Sequence, residues 1–183
     1  MNTVRLVLAT AALVPVLGAS PRAQAQYALS LGTGPTLESG ELGWGADARF
    51  GYRFGLGRRA LVHTLIFQPE AGIGYLHLPE ASADHPYLNA LRASAGLRFG
   101  FLIGRFEPFA FAHVGVMFPN DYGNNVLTPV YDLGPAFDLR FNASSLGIHA
   151  AYELTCLNDA WCRDDRRRWL HFGVHYEIRW FSD

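Results

Sequence analysis

The chain of 183 residues contains no lysine and only two cysteines. After the first 25 positions it has no apolar run of the roughly 18 residues that would indicate a transmembrane helix. Helical periodicity of useful length is also missing, which argues against an all-α or α/β domain. The length fits one domain and leaves no room for a second.

Residues 1–25 are typical of a secretory signal peptide. Arg5 forms a short basic region, an apolar core follows over positions 6–17, and Ala23-Gln24-Ala25 fits a cleavage site. No cysteine stands at this site to carry a lipid anchor. Without residues 1–25 the chain keeps 13 basic and 16 acidic residues, which argues against a nucleic-acid partner. The mature domain is therefore expected to span 26–183.

The two cysteines, Cys156 and Cys162, stand close together in a polar segment. Export favours a disulfide between them. Two thiols could also be half of a metal site, but no His or Cys pair of matching spacing completes it. We expect a disulfide, no metal and no cofactor.

The final stretch shows the pattern that the rest of the chain repeats. From 170 to 180, every even position is large and apolar, while the odd positions hold His171, Gly173, His175, Glu177 and Arg179. Strict period-two alternation predicts a β-strand with one apolar and one polar face. Eight such segments occur, over 27–34, 42–54, 61–77, 88–103, 106–118, 131–141, 146–156 and 169–180.

The connections between these segments favour a closed, antiparallel, up-and-down barrel of the transmembrane type. The connections 55–60, 104–105 and 142–145 are short, whereas 35–41, 79–87, 119–130 and 157–168 are mostly longer and polar. Short turns at one rim and longer loops at the other are typical of outer-membrane barrels, with both termini in the periplasm.

A soluble lipocalin-like barrel, with its apolar face turned inward, is the main alternative. Thirteen glycines fall on the polar face, where they would only weaken water-exposed strands. A narrow interior crowded with long polar side chains needs that space. The polar face is therefore predicted to point inward and the apolar face outward, towards lipid. Ile66, Phe109, Phe111 and Trp169 are apolar exceptions on the polar face.

Aromatic residues on the apolar face fall where interfacial girdles belong. The predicted rings are Trp44, Tyr75, Phe118, Tyr131, Tyr152 and Phe172 at the outer rim, and Phe54, Phe67, Phe101, Phe106, Phe141 and Trp180 at the periplasmic rim.

The polar face carries balanced charge, with six acids and six arginines. Because an eight-stranded barrel is only wide enough for side chains to fill, we expect these charges to pair and to plug the interior. The predicted network comprises Asp47, Arg49, Arg53, Glu70, Arg92, Arg98, Glu107, Asp138, Arg140, Glu153, Glu177 and Arg179. His113, His149, His171 and His175 share this face, and hydrogen bonding within the network is favoured over metal binding.

With these features the mature chain resembles the small eight-stranded outer-membrane barrels of Gram-negative bacteria, OmpA-like in their transmembrane part. The resemblance rests on the signal peptide, on segments such as 107–116, and on the aromatic-ended last strand. It implies outer-membrane lipid, lipopolysaccharide and the barrel-assembly machinery as partners. Phe181-Ser182-Asp183 follow Trp180, whereas members usually finish on the terminal aromatic residue that the machinery reads.

Some barrels of this kind modify lipid A. A deacylase-like site would need a serine, a histidine and an acid together, and Ser144 or Ser145 with His149 and Glu153 are the candidates. His149 and Glu153 are predicted to face inward, away from acyl chains, and the His-x-Ser-Asn pattern is missing. We expect no enzymatic activity.

The last loop is the most distinctive surface segment. It could form a rigid contact surface, with Trp161 as the anchor and with lipopolysaccharide phosphates bound by Arg163, Arg166, Arg167 and Arg168. Alternatively, it is a stapled, solvated hairpin tip whose arginines lie in the headgroup layer. The sequence thus predicts an outer-membrane barrel with a structural or surface-interaction role. A small-solute channel, a lipid A-modifying enzyme and a soluble lipocalin-like binder are the alternatives.

Overall fold

The computed structural model describes residues 24–38, 40–56, 63–78, 88–119, 127–156 and 166–181. They form eight strands, each antiparallel to the next, and pairing of the last strand with the first closes the barrel. The strands are β1 (Gln24–Glu38), β2 (Glu41–Leu56), β3 (His63–Leu78), β4 (Leu88–Ile103), β5 (Phe106–Pro119), β6 (Thr128–Phe141), β7 (Ser144–Cys156) and β8 (Arg166–Phe181). The predicted eight-stranded antiparallel barrel is confirmed. None of the residues described forms a helix long and apolar enough to cross a membrane.

The alternation in β8 sets the two faces of the wall. His171, His175, Glu177 and Arg179 are buried inside the barrel, each no more than 5% exposed. The large apolar residues between them point outward and are 41–53% exposed. Because successive side chains of a strand point to opposite faces, this one strand separates an apolar exterior from a polar interior.

The other strands continue the apolar exterior around the barrel. The large apolar residues that are at least 55% exposed include Leu31, Leu42, Ile73, Leu91, Val114, Leu133, Leu146 and Ile148. Of the predicted aromatic rings, Trp44, Phe118 and Tyr131 are exposed at one end, and Phe101, Phe106, Phe141 and Trp180 at the other. Phe172 was predicted at the outer rim but is exposed near the middle of β8, where it pairs with Ala150. A lipocalin-like arrangement needs the reverse orientation, so that alternative is wrong for this structure.

The two ends of the barrel differ in their connections. At the turn end, Ile103 and Phe106 are joined by a two-residue turn, as are Phe141 and Ser144. Gly104 and Asn142 take positive φ angles of 64° and 45° in these turns, a conformation that glycine and asparagine tolerate best. At the opposite end, called here the loop end, the chain between Leu78 and Leu88 and between Cys156 and Arg166 lies outside the described residues.

The first connection at the loop end departs from the prediction. Residues 35–41 were expected to form a loop, but β1 continues to Glu38 and β2 already begins at Glu41. Thr36 is fully buried and Leu37 is 40% exposed, so the alternation continues beyond Pro35. Pro35 stays in register with Trp44, because a proline can occupy a strand position where no ladder hydrogen bond needs its missing N–H.

An apolar layer fills the interior beneath the loop end. It consists of Leu76, Leu78, Ala90, Met117, Val130 and Trp169, all at most 2% exposed. A second buried apolar group lies deeper, with Phe109 and Phe111 against Ala136 and Ala151. The apolar exceptions noted in the sequence therefore pack inside the barrel and help to fill it.

Candidate functional site

The candidate site is the charged interior of the barrel. The structure turns the twelve charged side chains of the predicted network inward, and eleven of them form at least one ion pair between an arginine and a carboxylate. The twelfth, Asp138, contacts His175 and Ser145. Several of these pairs join strands that are not neighbours in the barrel wall.

Towards the loop end, Arg92 and Glu153 form a pair of 2.5 Å between β4 and β7. The indole Nε1 of Trp169 donates to the same carboxylate oxygen over 2.9 Å. Arg92 also lies 3.5 Å from Asp47, which pairs with Arg49 at 3.2 Å. The buried carboxylate of Glu153 thus has both a cationic and a neutral donor, which offsets its removal from water.

At the middle of the barrel, His113 lies between two carboxylates. Its Nδ1 is 2.5 Å from Asp132 Oδ1 and its Nε2 is 2.8 Å from Glu70 Oε1. Each ring nitrogen therefore has a carboxylate oxygen within hydrogen-bond distance. Arg49 Nη1 lies 3.1 Å from the same ring.

Asp132 was missing from the predicted network. It is 4% exposed and shares the inward parity of Gly134, Ala136 and Asp138 in β6. Asp132 lies within the predicted segment 131–141 at the parity of Asp138, so the alternation alone was enough to include it.

Towards the turn end, Arg98 joins two carboxylates, at 3.2 Å from Glu70 and 2.9 Å from Glu177. Its guanidinium carbon stands 4.3 Å from the centroid of the Phe109 ring, a cation–π contact. Gln68 Nε2 donates to Glu70 over 3.0 Å. One arginine therefore connects β4 to carboxylates on β3 and β8 and to an aromatic ring on β5.

Three further arginines surround Glu107 at the turn end. Arg53 makes a direct hydrogen bond to this carboxylate, while Arg140 and Arg179 approach it to 3.9 and 3.8 Å. Arg179 Nη2 donates to the carbonyl oxygen of Ser144 over 2.7 Å, which ties the charged interior to the β6–β7 turn.

The remaining histidines form a second polar series. Thr36 Oγ1 lies 2.9 Å from His171 Nδ1, and His149 Nδ1 lies 3.2 Å from His175 Nδ1. His175 Nε2 contacts Asp138 Oδ1 at 2.5 Å, and Ser145 donates to the other oxygen of that carboxylate over 3.1 Å. Across the described ranges, no group of three or more His, Cys, Asp or Glu side chains could hold a metal ion.

The residues considered for a deacylase-like site are not brought together. Ser145 hydrogen bonds to Asp138, and Ser144 donates to the carbonyl of Phe141 over 3.2 Å. His149 contacts His175, and Glu153 accepts from Arg92 and Trp169. Each candidate has a different partner, and the nucleophile–base–acid relay that acyl transfer needs is not formed by them.

A cavity lined by residues that include Ser30, Asp47, Arg49 and His149 has a volume of about 10 Å³. That volume holds about one water molecule.

The predicted surface site lies mostly beyond what the structure describes. Trp161, Cys162 and Arg163 fall outside the described residues, as do the side chains of Cys156, Arg166 and Arg167. Arg168 is exposed on the outer face of β8, where its backbone pairs with Leu154. The Cys156–Cys162 disulfide and the signal peptide over 1–25 therefore stay predictions.

No protein-family model and no curated protein matches the chain. Several solved structures are similar to it, among them the following three. The outer-membrane enzyme PagL is 18% identical with a TM-score of 0.47, covering 82% of this chain and 98% of that one. Neisserial surface protein A is 11% identical with a TM-score of 0.47, covering 85% and 97%. Ail, the attachment invasion locus protein of Yersinia pestis, is 12% identical with a TM-score of 0.41, covering 86% and 99%.

The class of protein follows from the structure itself. A closed barrel of eight antiparallel strands, apolar outside and charged inside, has the architecture of the small outer-membrane β-barrels that the sequence resembles.

Proposed function

We propose that this protein is an integral outer-membrane β-barrel with a closed interior and a structural or surface-interaction role. One observation carries the proposal, namely the continuous belt of exposed apolar side chains around an interior of paired charges. A soluble protein rarely exposes apolar patches beyond a few hundred Å², whereas a closed barrel satisfies all its backbone groups within lipid.

The charged interior supports an anchoring role better than a transport role. Arg98 with Glu70 and Glu177, and Arg92 with Glu153, cross the interior at different heights. The apolar layer around Trp169 and Met117 lies between these pairs and the loop end. Contact with partners would then fall to the loops. There Trp161 is the proposed anchor, and the proposed contacts for lipopolysaccharide phosphates are Arg163, Arg166, Arg167 and Arg168.

The first experiment combines membrane fractionation with gel mobility in SDS, comparing unheated and boiled protein. We expect recovery in the outer-membrane pellet and faster migration of the unheated protein, because a closed barrel resists unfolding by detergent. A protein in the soluble periplasmic fraction, with no heat shift, would contradict the proposal.

Planar-bilayer recording distinguishes the proposed anchoring role from a channel function. We expect no stable conductance steps for the natural chain, since Arg98 with its two carboxylates and the Arg92–Glu153 pair cross the interior. A variant combining Arg98→Ala and Phe109→Ala serves as the positive control, because it removes two large interior side chains at one height. Steps of equal size in both proteins would favour a small-solute channel instead.

The lipid A-modifying alternative has its own measurement. The mass of lipid A from a deletion strain is compared with that from the complemented strain. An unchanged mass is expected, because Ser145, His149 and Glu153 are committed to separate partners.

A further inference from the structure

The barrel strands contain the dipeptide Gly-Pro twice, as Gly34-Pro35 in β1 and as Gly134-Pro135 in β6. Each interrupts a ladder. Pairing of β1 with β8 passes from Thr33 directly to Thr36, and pairing of β6 with β7 passes from Leu133 directly to Ala136. Proline has no N–H to donate, which accounts for a break at these positions.

The two interruptions lie in one row across the wall. Ala150 of β7 pairs with Phe172 of β8. Extending the flanking registers places Pro135 beside Ala150, and Pro35 beside Phe172. The middle of the β7–β8 hairpin is therefore bordered on both sides by unpaired Gly-Pro steps at the same height.

This row forms the centre of a recess in the outer face. The recess has a volume of about 700 Å³ and takes three residues from each of β1, β6, β7 and β8. Thr33 and His149 are the polar residues of its lining, and the rest are aliphatic, aromatic, proline or glycine. Ala150 contributes only a methyl group to this lining, which leaves the space that a larger side chain would occupy.

The surroundings of the recess identify its occupant. Leu133, Ile148, Val174 and Leu31 are 53–60% exposed around or within it, so the recess opens into the apolar belt. We propose that it binds one acyl chain of a membrane lipid, as a defined site distinct from the mobile lipid around the barrel. The proposal rests on the membrane location proposed above. A concave wall surrounds a chain with more contacts than a convex one, which lengthens its residence.

His149 gives the site a polar inner edge. It lines both the recess and the small charged cavity inside the barrel. Its Nε2 is buried and has no hydrogen-bond partner.

Photo-crosslinking tests this site with the full chain reconstituted in phosphatidylcholine vesicles that contain a phospholipid with a diazirine in one acyl chain. Crosslinked peptides are mapped by mass spectrometry. We expect adducts to concentrate several-fold on the strand segments around Pro135, Ala150 and Phe172, relative to the exposed segment of β4 around Ala95. Ala150→Phe, which fills the recess, should abolish this enrichment, whereas Ala95→Phe on the other side of the barrel should preserve it.

Three other results would overturn the proposal, and they differ from one another. Adducts spread evenly around the belt would mean ordinary surrounding lipid only, with the membrane location intact. Crosslinks between two protein copies through the recess would make it a dimer contact. Absence of adducts from all strands would remove the membrane location as well. If Ala150→Phe shows no heat shift and has not folded, Val174→Trp at the edge of the recess provides the same test.

Discussion

Arg92 and Glu153 pair at 2.5 Å although they stand on β4 and β7, which are not neighbours in the wall. Both side chains are at most 4% exposed. The pair therefore connects two non-neighbouring strands across the interior, and Trp169 of β8 donates a hydrogen bond to the same carboxylate. A buried charge without a partner is far more costly than a buried pair. The stability of the barrel therefore depends on every charge of such an ion pair keeping its partner.

Replacement of Glu153 by leucine tests this dependence. Among the described residues, the substitution leaves Arg92 with Asp47, at 3.5 Å, as its remaining ion-pair partner. It also leaves the indole N–H of Trp169 without its acceptor. We expect a loss of about 3–5 kcal/mol in the free energy of unfolding, the usual result of breaking a buried pair from one side. Urea unfolding in lipid vesicles, followed by the unheated gel mobility, measures it.

The double variant Arg92→Met with Glu153→Leu should be compared with the single variant Glu153→Leu in the same measurement. Removing both charges should restore part of the stability, because no uncompensated ion remains. Arg168→Ala, on the exposed face of β8, serves as a control and should change stability by no more than about 0.5 kcal/mol. Additive losses in the double variant would show that the two residues act independently.

The histidines should differ in their contribution to stability. His113 contacts two carboxylates at 2.5 and 2.8 Å, whereas His149 contacts one neighbouring imidazole at 3.2 Å. Hydrogen bonds to charged groups contribute about 1.5–3 kcal/mol each, so His113→Ala should lose on the order of 3 kcal/mol. It also leaves Asp132 and Glu70 without the ring that bridges them.

His149→Ala is the matched comparison, because both rings are inward and central. Its loss should be clearly smaller in the same unfolding measurement. Equal losses for the two variants would mean that the volume of the ring, and not its carboxylate contacts, stabilises the barrel.

The interior glycines should tolerate a methyl group unequally. A Cβ on Gly147 would overlap Asp138 Oδ1 and crowd the ring of His175, so Gly147→Ala must separate that pair. A Cβ on Gly45 would meet His171 at 3.2 Å, which a small shift of the ring relieves. Gly147→Ala should therefore destabilise by about 1–3 kcal/mol and Gly45→Ala by less, as measured by urea midpoints. The reverse order would contradict the geometry of the His175–Asp138 contact.

Period-two alternation was sufficient to predict the strands and the inward faces, because the side-chain period of a strand is fixed by backbone geometry. It could not predict which charges meet, since Arg92 and Glu153 are 61 positions apart and come together only when the barrel closes. The row through Pro35, Ala150, Phe172 and Pro135 depends in the same way on the registers of three ladders. The prediction that β1 ends before Pro35 was wrong, because the strand continues through Pro35 to Glu38.

A pair of arginine substitutions on the outer face discriminates between lipid and water around the barrel. Leu133 lies near the middle of β6 and is 57% exposed, while Leu127 precedes that strand at the loop end and is 55% exposed. In a membrane, Leu133→Arg should cost about 2–4 kcal/mol and Leu127→Arg about 0–1 kcal/mol, because the penalty for charge depends on depth. In water both substitutions would be nearly neutral, since both side chains are already exposed. Unfolding in vesicles measures the difference, and equal, small effects at the two positions would show that the belt does not face hydrocarbon.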